Sequence, residues 1–152
     1  MRYHTLVARS CAFIAVIALL GCASSPETQA PPGMRRVFLS SSEAAGGIYE
    51  SEMLYGGTPT DRFDAKQARG YLYLIFNDSA DHTTQFRIVR AATGVVAIES
   101  RRHELKGKPG PATWRGHYIW FQIAGRLSPG IYALDLTIDD QPAGTLAFTV
   151  SQ

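Results

Sequence analysis

The chain has 152 residues, 45% of them hydrophobic and 18% charged, which is the composition of one ordinary globular domain and too short for two. A folded unit of this size buries roughly two thirds of the surface its unfolded chain exposes, so neither metal nor disulfide is needed to hold it together. The formal net charge of +2 includes Arg2 and Arg9, and without that leading segment thirteen basic residues face thirteen acidic ones, a balance that argues against binding nucleic acid.

The amino terminus has three parts in sequence. "MRYHTLVARS" is basic and free of acid, "CAFIAVIALL" is uncharged and mostly apolar, and "GCASS" supplies small residues. That is the order of an export signal. Ten helical residues span about 15 Å, half of the roughly 30 Å hydrocarbon core, so the run predicts a signal-peptide core and not a membrane span.

Within it "LLGC", ending at Cys22, resembles the lipobox of bacterial lipoproteins. The resemblance implies that residues 1–21 are a signal peptide removed before Cys22, and that the Cys22 thiol takes a diacylglycerol. It also implies acylation of the new amine, so that membrane lipid is held through Cys22. Each buried methylene contributes about 0.8 kcal/mol, and two or three acyl chains anchor firmly where one holds marginally. By the same resemblance, Ala23 in place of aspartate favours the outer membrane, on its periplasmic face. With Cys11 inside the apolar run and Cys22 at the cut, no structural disulfide is expected.

Residues 22–33 come next, as the lipidated cysteine and a flexible tether. "ASSPETQAPPG" contains three prolines and no large apolar residue, so it cannot bury enough surface to offset the ordering of its backbone. Extended, it reaches up to roughly 30 Å. The folded domain is expected over residues 34–152.

From there the pattern has the period of strands. "RRVFLS" predicts a first strand, "GIYESEMLY" a second, and the almost continuously apolar "GYLYLIFND" a central third. "TTQFRIVRA" alternates, with Phe86 and Ile88 on one face and Arg87 on the other, and Thr93 with Gly94 predicts a tight turn into "VVAIESRR". "GHYIWFQIA" puts Ile119, Phe121 and Ile123 on one face and Tyr118, Trp120 and Gln122 on the other. "GIYALDLTID" turns Tyr132, Leu134, Leu136 and Ile138 inward. After a turn at "DDQPAG", Leu146, Phe148 and Val150 continue the buried face. "SEAAG" and "DAKQARG" are too short to form helices that matter.

Seven or eight short strands separated by turn residues predict an all-β sandwich of antiparallel strands. The ending, "LSPGIYALDLTIDDQPAGTLAFTV", is similar to the closing hairpin of exported bacterial immunoglobulin-like domains at Pro129, Gly130, Tyr132, Asp139, Gly144, Phe148 and Val150. The resemblance implies an immunoglobulin-like sandwich. That family's central "W-x-x-P-x-G" is absent after Phe86, where "FRIVRAATG" offers Val89 and Gly94.

Catalytic signatures are missing. There is no G-x-S-x-G elbow, no phosphate-binding glycine loop and no H-E-x-x-H, and no cofactor is expected. His82, His103 and His117 read as surface or turn residues. "NDSADH" offers oxygen ligands and an imidazole, but where an EF-hand needs glycine at position six and glutamate at twelve it has His82 and Ile88. A polar hairpin loop explains it without metal.

The stretch from Glu99 to Arg115 is a long Gly- and Pro-containing loop, and such loops often carry function on a rigid scaffold. Arg101, Arg102, His103, Lys106, Lys108, Trp114 and Arg115 make it the candidate site for an anionic ligand or a partner. Together these features predict a non-enzymatic envelope lipoprotein whose sandwich binds or positions another envelope component, protein or glycan, such as a secretion or surface-assembly partner. The alternative is an envelope hydrolase, or a ligand-binding enzyme subunit, that gathers Asp61, Asp64, His103 and Glu104 in one cleft.

Overall fold

A computed structural model describes residues 27–28, 30–43, 58–107 and 115–152. The signal segment, Cys22, the strand expected in "GIYESEMLY", Lys108 and Trp114 lie outside the described residues. The described residues form ten strands and no α-helix. These are β1 (Glu27–Thr28), β2 (Met34–Ser40), β3 (Arg62–Asp64), β4 (Arg69–Phe76), β5 (His82–Arg90), β6 (Val96–Glu99), β7 (His103–Leu105), β8 (Arg115–Gln122), β9 (Gly130–Ile138) and β10 (Gln141–Ser151). Seven have four residues or more, in keeping with the sequence pattern, and β1, β3 and β7 are fragments of two or three.

Two sheets face each other. The first has the order β1-β2-β4-β8 and the second β3-β10-β9-β5-β6, with β7 also pairing to β5. β6 takes residues 87–89 of β5 and β7 takes residues 82–84, so the two fragments lie end to end along one edge. The core between the sheets draws Val37, Leu39, Leu72 and Leu74 from the first and Phe86, Ile88, Leu134 and Leu136 from the second. Phe63, Phe121 and Phe148 cross it edge-on, at 5.9 Å from Phe63 to Phe121 and 5.5 Å from Phe63 to Phe148.

The alternation read from the sequence is the one observed. Phe86 and Ile88 are buried and Arg87 is exposed; Ile119, Phe121 and Ile123 are buried while Tyr118, Trp120 and Gln122 face outward. β4 is central, between β2 and β8, and every residue from Gly70 to Phe76 is buried. Its second face, with Tyr71, Tyr73 and Ile75, forms a separate buried cluster with Phe38, which stacks on Tyr73 at 4.9 Å. The Tyr73 hydroxyl donates to the Ser42 carbonyl at 2.9 Å.

The β9–β10 hairpin turns on Asp139 and Asp140, both at positive φ (48° and 63°). Two left-handed residues in succession give the turn whose twist matches the strands it joins, and aspartate is among the few side chains that tolerate this backbone. Just beyond, the register shifts between Pro142 and Gly144. Pro142 lacks a donor, but β3 pairs with β10 only at residues 149–151, so no neighbour on that side asks for one.

Two expectations are corrected. The strands are not all antiparallel: β3 runs parallel to β10, with Phe63 opposite Val150. No hairpin ties β3 to β10, and a pair joined through most of the domain is free to take either direction. The ordered chain also begins before Met34. Glu27–Thr28 pairs antiparallel with β2, Ala30 packs against the core, and the Met34 amide donates to the Pro31 carbonyl at 3.0 Å. Part of the expected tether is therefore laid along the open edge of β2, where its backbone groups find partners.

Candidate functional site

The strand registers place the end of β4, the start of β5 and the β9–β10 turn at one end of the sandwich. Phe76 lies opposite Met34 and Arg115, and His82 opposite Leu105. There the His82 ring stacks on Phe76 at 4.0 Å and hydrogen-bonds through both nitrogens, Nδ1 to Asp139 at 2.8 Å and Nε2 to Asp78 at 2.9 Å. Burial alone would lower the His82 pKa, but the bonds to Asp139 and Asp78 outweigh it and hold the ring above its ordinary value. The Asp78 carboxyl is held below its usual range, first by His82 and then by the Ala80 amide. Asp139 also lies low despite its desolvation, because His82 and the Thr83 amide both bond to it. His82 is thus a clamp between a loop and a turn, a role that its isolated position in the sequence does not signal.

The same end holds the "NDSADH" loop. Asp78 accepts from the Ala80 amide and Asp81 from the Gly107 amide and Lys106, at 2.7 and 3.0 Å. The carboxylates are committed to hydrogen bonds, and among the described residues no group of three or more His, Cys, Asp or Glu is arranged to hold a metal ion.

The predicted basic loop is divided by the fold. Arg102 pairs with Asp140 and also donates to the Thr83 hydroxyl at 3.1 Å. Lys106 pairs with Asp81 at 3.0 Å and Glu104 at 3.5 Å. Arg115 opens β8 opposite Phe76. Among the described residues of the loop, Arg101 and His103 line a cleft of about 460 Å³ between β8 and the β6–β7 edge of the other sheet.

This cleft is lined by Arg101 and His103 and by Tyr118, Trp120 and Gln122 of β8. The floor is Phe86, Ile119 and Phe121, which already belong to the core. Arg101 is fixed at its base by Ser100, whose amide and hydroxyl bond to the Phe86 backbone at 2.9 and 2.8 Å. Unlike Arg102, it makes no ion pair among the described residues. Burial, and then the Arg101 charge, push the His103 pKa down. The Trp120 ring is 50% exposed with the Arg69 guanidinium over one face at 4.4 Å from the ring centre. Tyr118 donates its hydroxyl to Glu43 at 2.7 Å, and Gln122 donates to the Ala124 carbonyl at 3.0 Å. No aspartate or glutamate is among the described residues lining the cleft.

Trp120 and Gln122 were readable as outward-facing but not as part of a site, because strand alternation gives the face of a residue and not what lies across from it. The alternative catalytic set does not converge. Asp61 and Asp64 flank or end β3 at one edge of the second sheet, whereas His103 and Glu104 lie on β7 beyond β5.

No family model and no curated protein matches the chain. Among solved structures it is similar to the alkylpurine DNA glycosylase AlkC of Pseudomonas fluorescens, at 12% identity and a TM-score of 0.42 over 60% of this chain. It spans only 28% of the glycosylase's length. It is similar to the C-terminal domain of wzt at 9% identity and a TM-score of 0.45, covering 83% of this chain and 78% of that one. An immunoglobulin-like protein from Pseudomonas aeruginosa aligns at 14% identity and a TM-score of 0.35, over 76% of this chain and 91% of its own. The chain's own strands and sheet order make it an all-β sandwich, with a protein described as immunoglobulin-like among its structural neighbours.

Proposed function

We propose that the protein is an exported lipoprotein, anchored through acylated Cys22 to the periplasmic face of the outer membrane, whose sandwich binds another envelope component without catalysing a reaction. The supporting observation is the cleft beside β8, which is lined by the cation Arg101 and a half-exposed Trp120 and, among the described residues, by no carboxylate. Groups arranged in this way are suited to recognition.

Two experiments test the two halves. Cys22→Ser moves the protein out of the membrane fraction; retention there refutes the lipid anchor. A photo-crosslinking amino acid in place of Gln122 captures a partner in intact cells, and Arg101→Glu abolishes the capture. No adduct above background, or an adduct indifferent to Arg101, refutes the cleft as the binding surface.

A further inference from the structure

The surface an incoming molecule meets in the cleft is more apolar than polar and carries two exposed aromatic rings, Trp120 and Tyr118. Phe86, Ile119 and Phe121 are 2%, 7% and 2% exposed, so the floor offers little apolar area still to be covered. What remains accessible is Arg101 and His103 on one wall and Tyr118, Trp120 and Gln122 on the other. A side chain pushed below the floor finds no socket, because Phe86, Ile119 and Phe121 already fill it.

Trp120 is suited to a different ligand. Its strand backbone and the Arg69 guanidinium at 4.4 Å fix the ring, so little rotational freedom is lost on binding. The π face carries partial negative charge, which attracts the polarised C–H groups on the flat side of a sugar ring. Gln122 uses one donor on the Ala124 carbonyl, leaving its second N–H and its oxygen for hydroxyl groups. Arg101 supplies a planar fork that matches a carboxylate, and no acid is among the described residues lining the cleft.

We infer that the cleft binds an acidic glycan, with a sugar ring on the Trp120 indole and a sugar carboxylate on the Arg101 guanidinium. This rests on the cleft being the protein's binding surface and adds the chemical class of the ligand. A volume of about 460 Å³ holds two to three hexose rings at roughly 150–200 Å³ each, within the ordinary range for a ligand site.

The test is calorimetric titration of the full chain, in detergent, with tetragalacturonate, its neutral carboxyl-reduced tetramer, and hexaglutamate as an acidic peptide. Tetragalacturonate is expected to bind, and the neutral tetramer at least tenfold more weakly. Arg101→Gln and Trp120→Ala are each expected to weaken tetragalacturonate at least tenfold. Trp120→Phe, which keeps a ring against Arg69, should recover part of the loss. Arg62→Gln, on the far edge of the second sheet, should change nothing.

Absence of tetragalacturonate binding overturns the inference, as does binding that survives both cleft variants. Hexaglutamate binding as tightly, with the same sensitivity to the variants, overturns it in favour of an acidic peptide. If the Gln122 crosslink captures a partner while tetragalacturonate fails to bind, the glycan falls and the binding cleft stands; if both fail, both fall.

Discussion

Replacing His82 by phenylalanine isolates the polar part of the clamp, since a flat ring is kept against Phe76 while both hydrogen bonds are lost. A hydrogen bond to a charged group contributes about 1.5–3 kcal/mol. The side chains of Asp78 and Asp139 are 50% and 51% exposed, so water replaces much of what is removed, and each bond falls toward about 1 kcal/mol. Asp139 keeps the Thr83 amide and Asp78 the Ala80 amide. The expected loss is therefore about 2 kcal/mol, or about 8 °C in Tm at about 4 °C per kcal/mol for a domain of this size.

That loss depends on pH, with a definite sign. The folded-state pKa of His82 is raised, so its contribution is full below the unfolded value of about 6.5 and is lost as pH rises through the folded value. The neutral ring has one donor, and its other nitrogen then points a lone pair at a carboxylate. Below about pH 4 the two carboxylates, whose folded pKa values are lowered, begin to protonate and the clamp dissolves from the other side. The Tm difference between wild type and His82→Phe should peak at pH 5–6 and fall by half or more at pH 9, as read by circular dichroism melting of both proteins across that range. A difference that is flat, or that grows with pH, refutes the doubly bonded imidazolium.

Gly107→Ala should cost about 1–3 kcal/mol by overpacking, because its new methyl would overlap the Ser79 carbonyl and the Ala80 backbone; faster amide exchange across residues 77–81 should accompany the lower Tm, and an unchanged melt contradicts the close approach. Tyr132→Phe removes a hydroxyl that donates to the Ser128 carbonyl at 2.8 Å. Because Ser128 is exposed and water can take the vacated acceptor, chemical denaturation should register only about 0.5–1 kcal/mol. Trp120→Ala should leave stability within about 1 kcal/mol, since half the ring is already in water; a larger fall in the denaturation midpoint would mean that the indole serves the fold more than the cleft.

Strand positions were legible because each inward face repeats at every second residue, as in Ile119, Phe121 and Ile123 or Leu146, Phe148 and Val150. The central place of β4 was legible for the same reason, since a strand buried on both faces cannot alternate. Direction was not legible for β3, three residues long and fixed only by its partner. Nor was the fate of the basic loop. Charge counting cannot know that Asp140 and Asp81, from 38 and 25 residues away, will pair with Arg102 and Lys106, while Arg101 is the cation among the described residues lining the cleft. Likewise His82 meets Asp139 only through the β5–β9 register, 57 residues apart.

The parallel pairing of β3 with β10 bears on how the domain assembles. Phe63 belongs to the first half of the chain, yet its strand is held by residues 149–151, and the Ser151 hydroxyl bonds to its carbonyl across 88 residues. Closing so long a loop is slow compared with forming the hairpins. As the chain emerges from its amino end, Phe63 has no sheet to join until the last strand is out. The core then closes late and all at once around that aromatic ring, so a chain interrupted short of residue 149 exposes Phe63 together with the Phe121 surface it covers, a state that chaperones and proteases recognise.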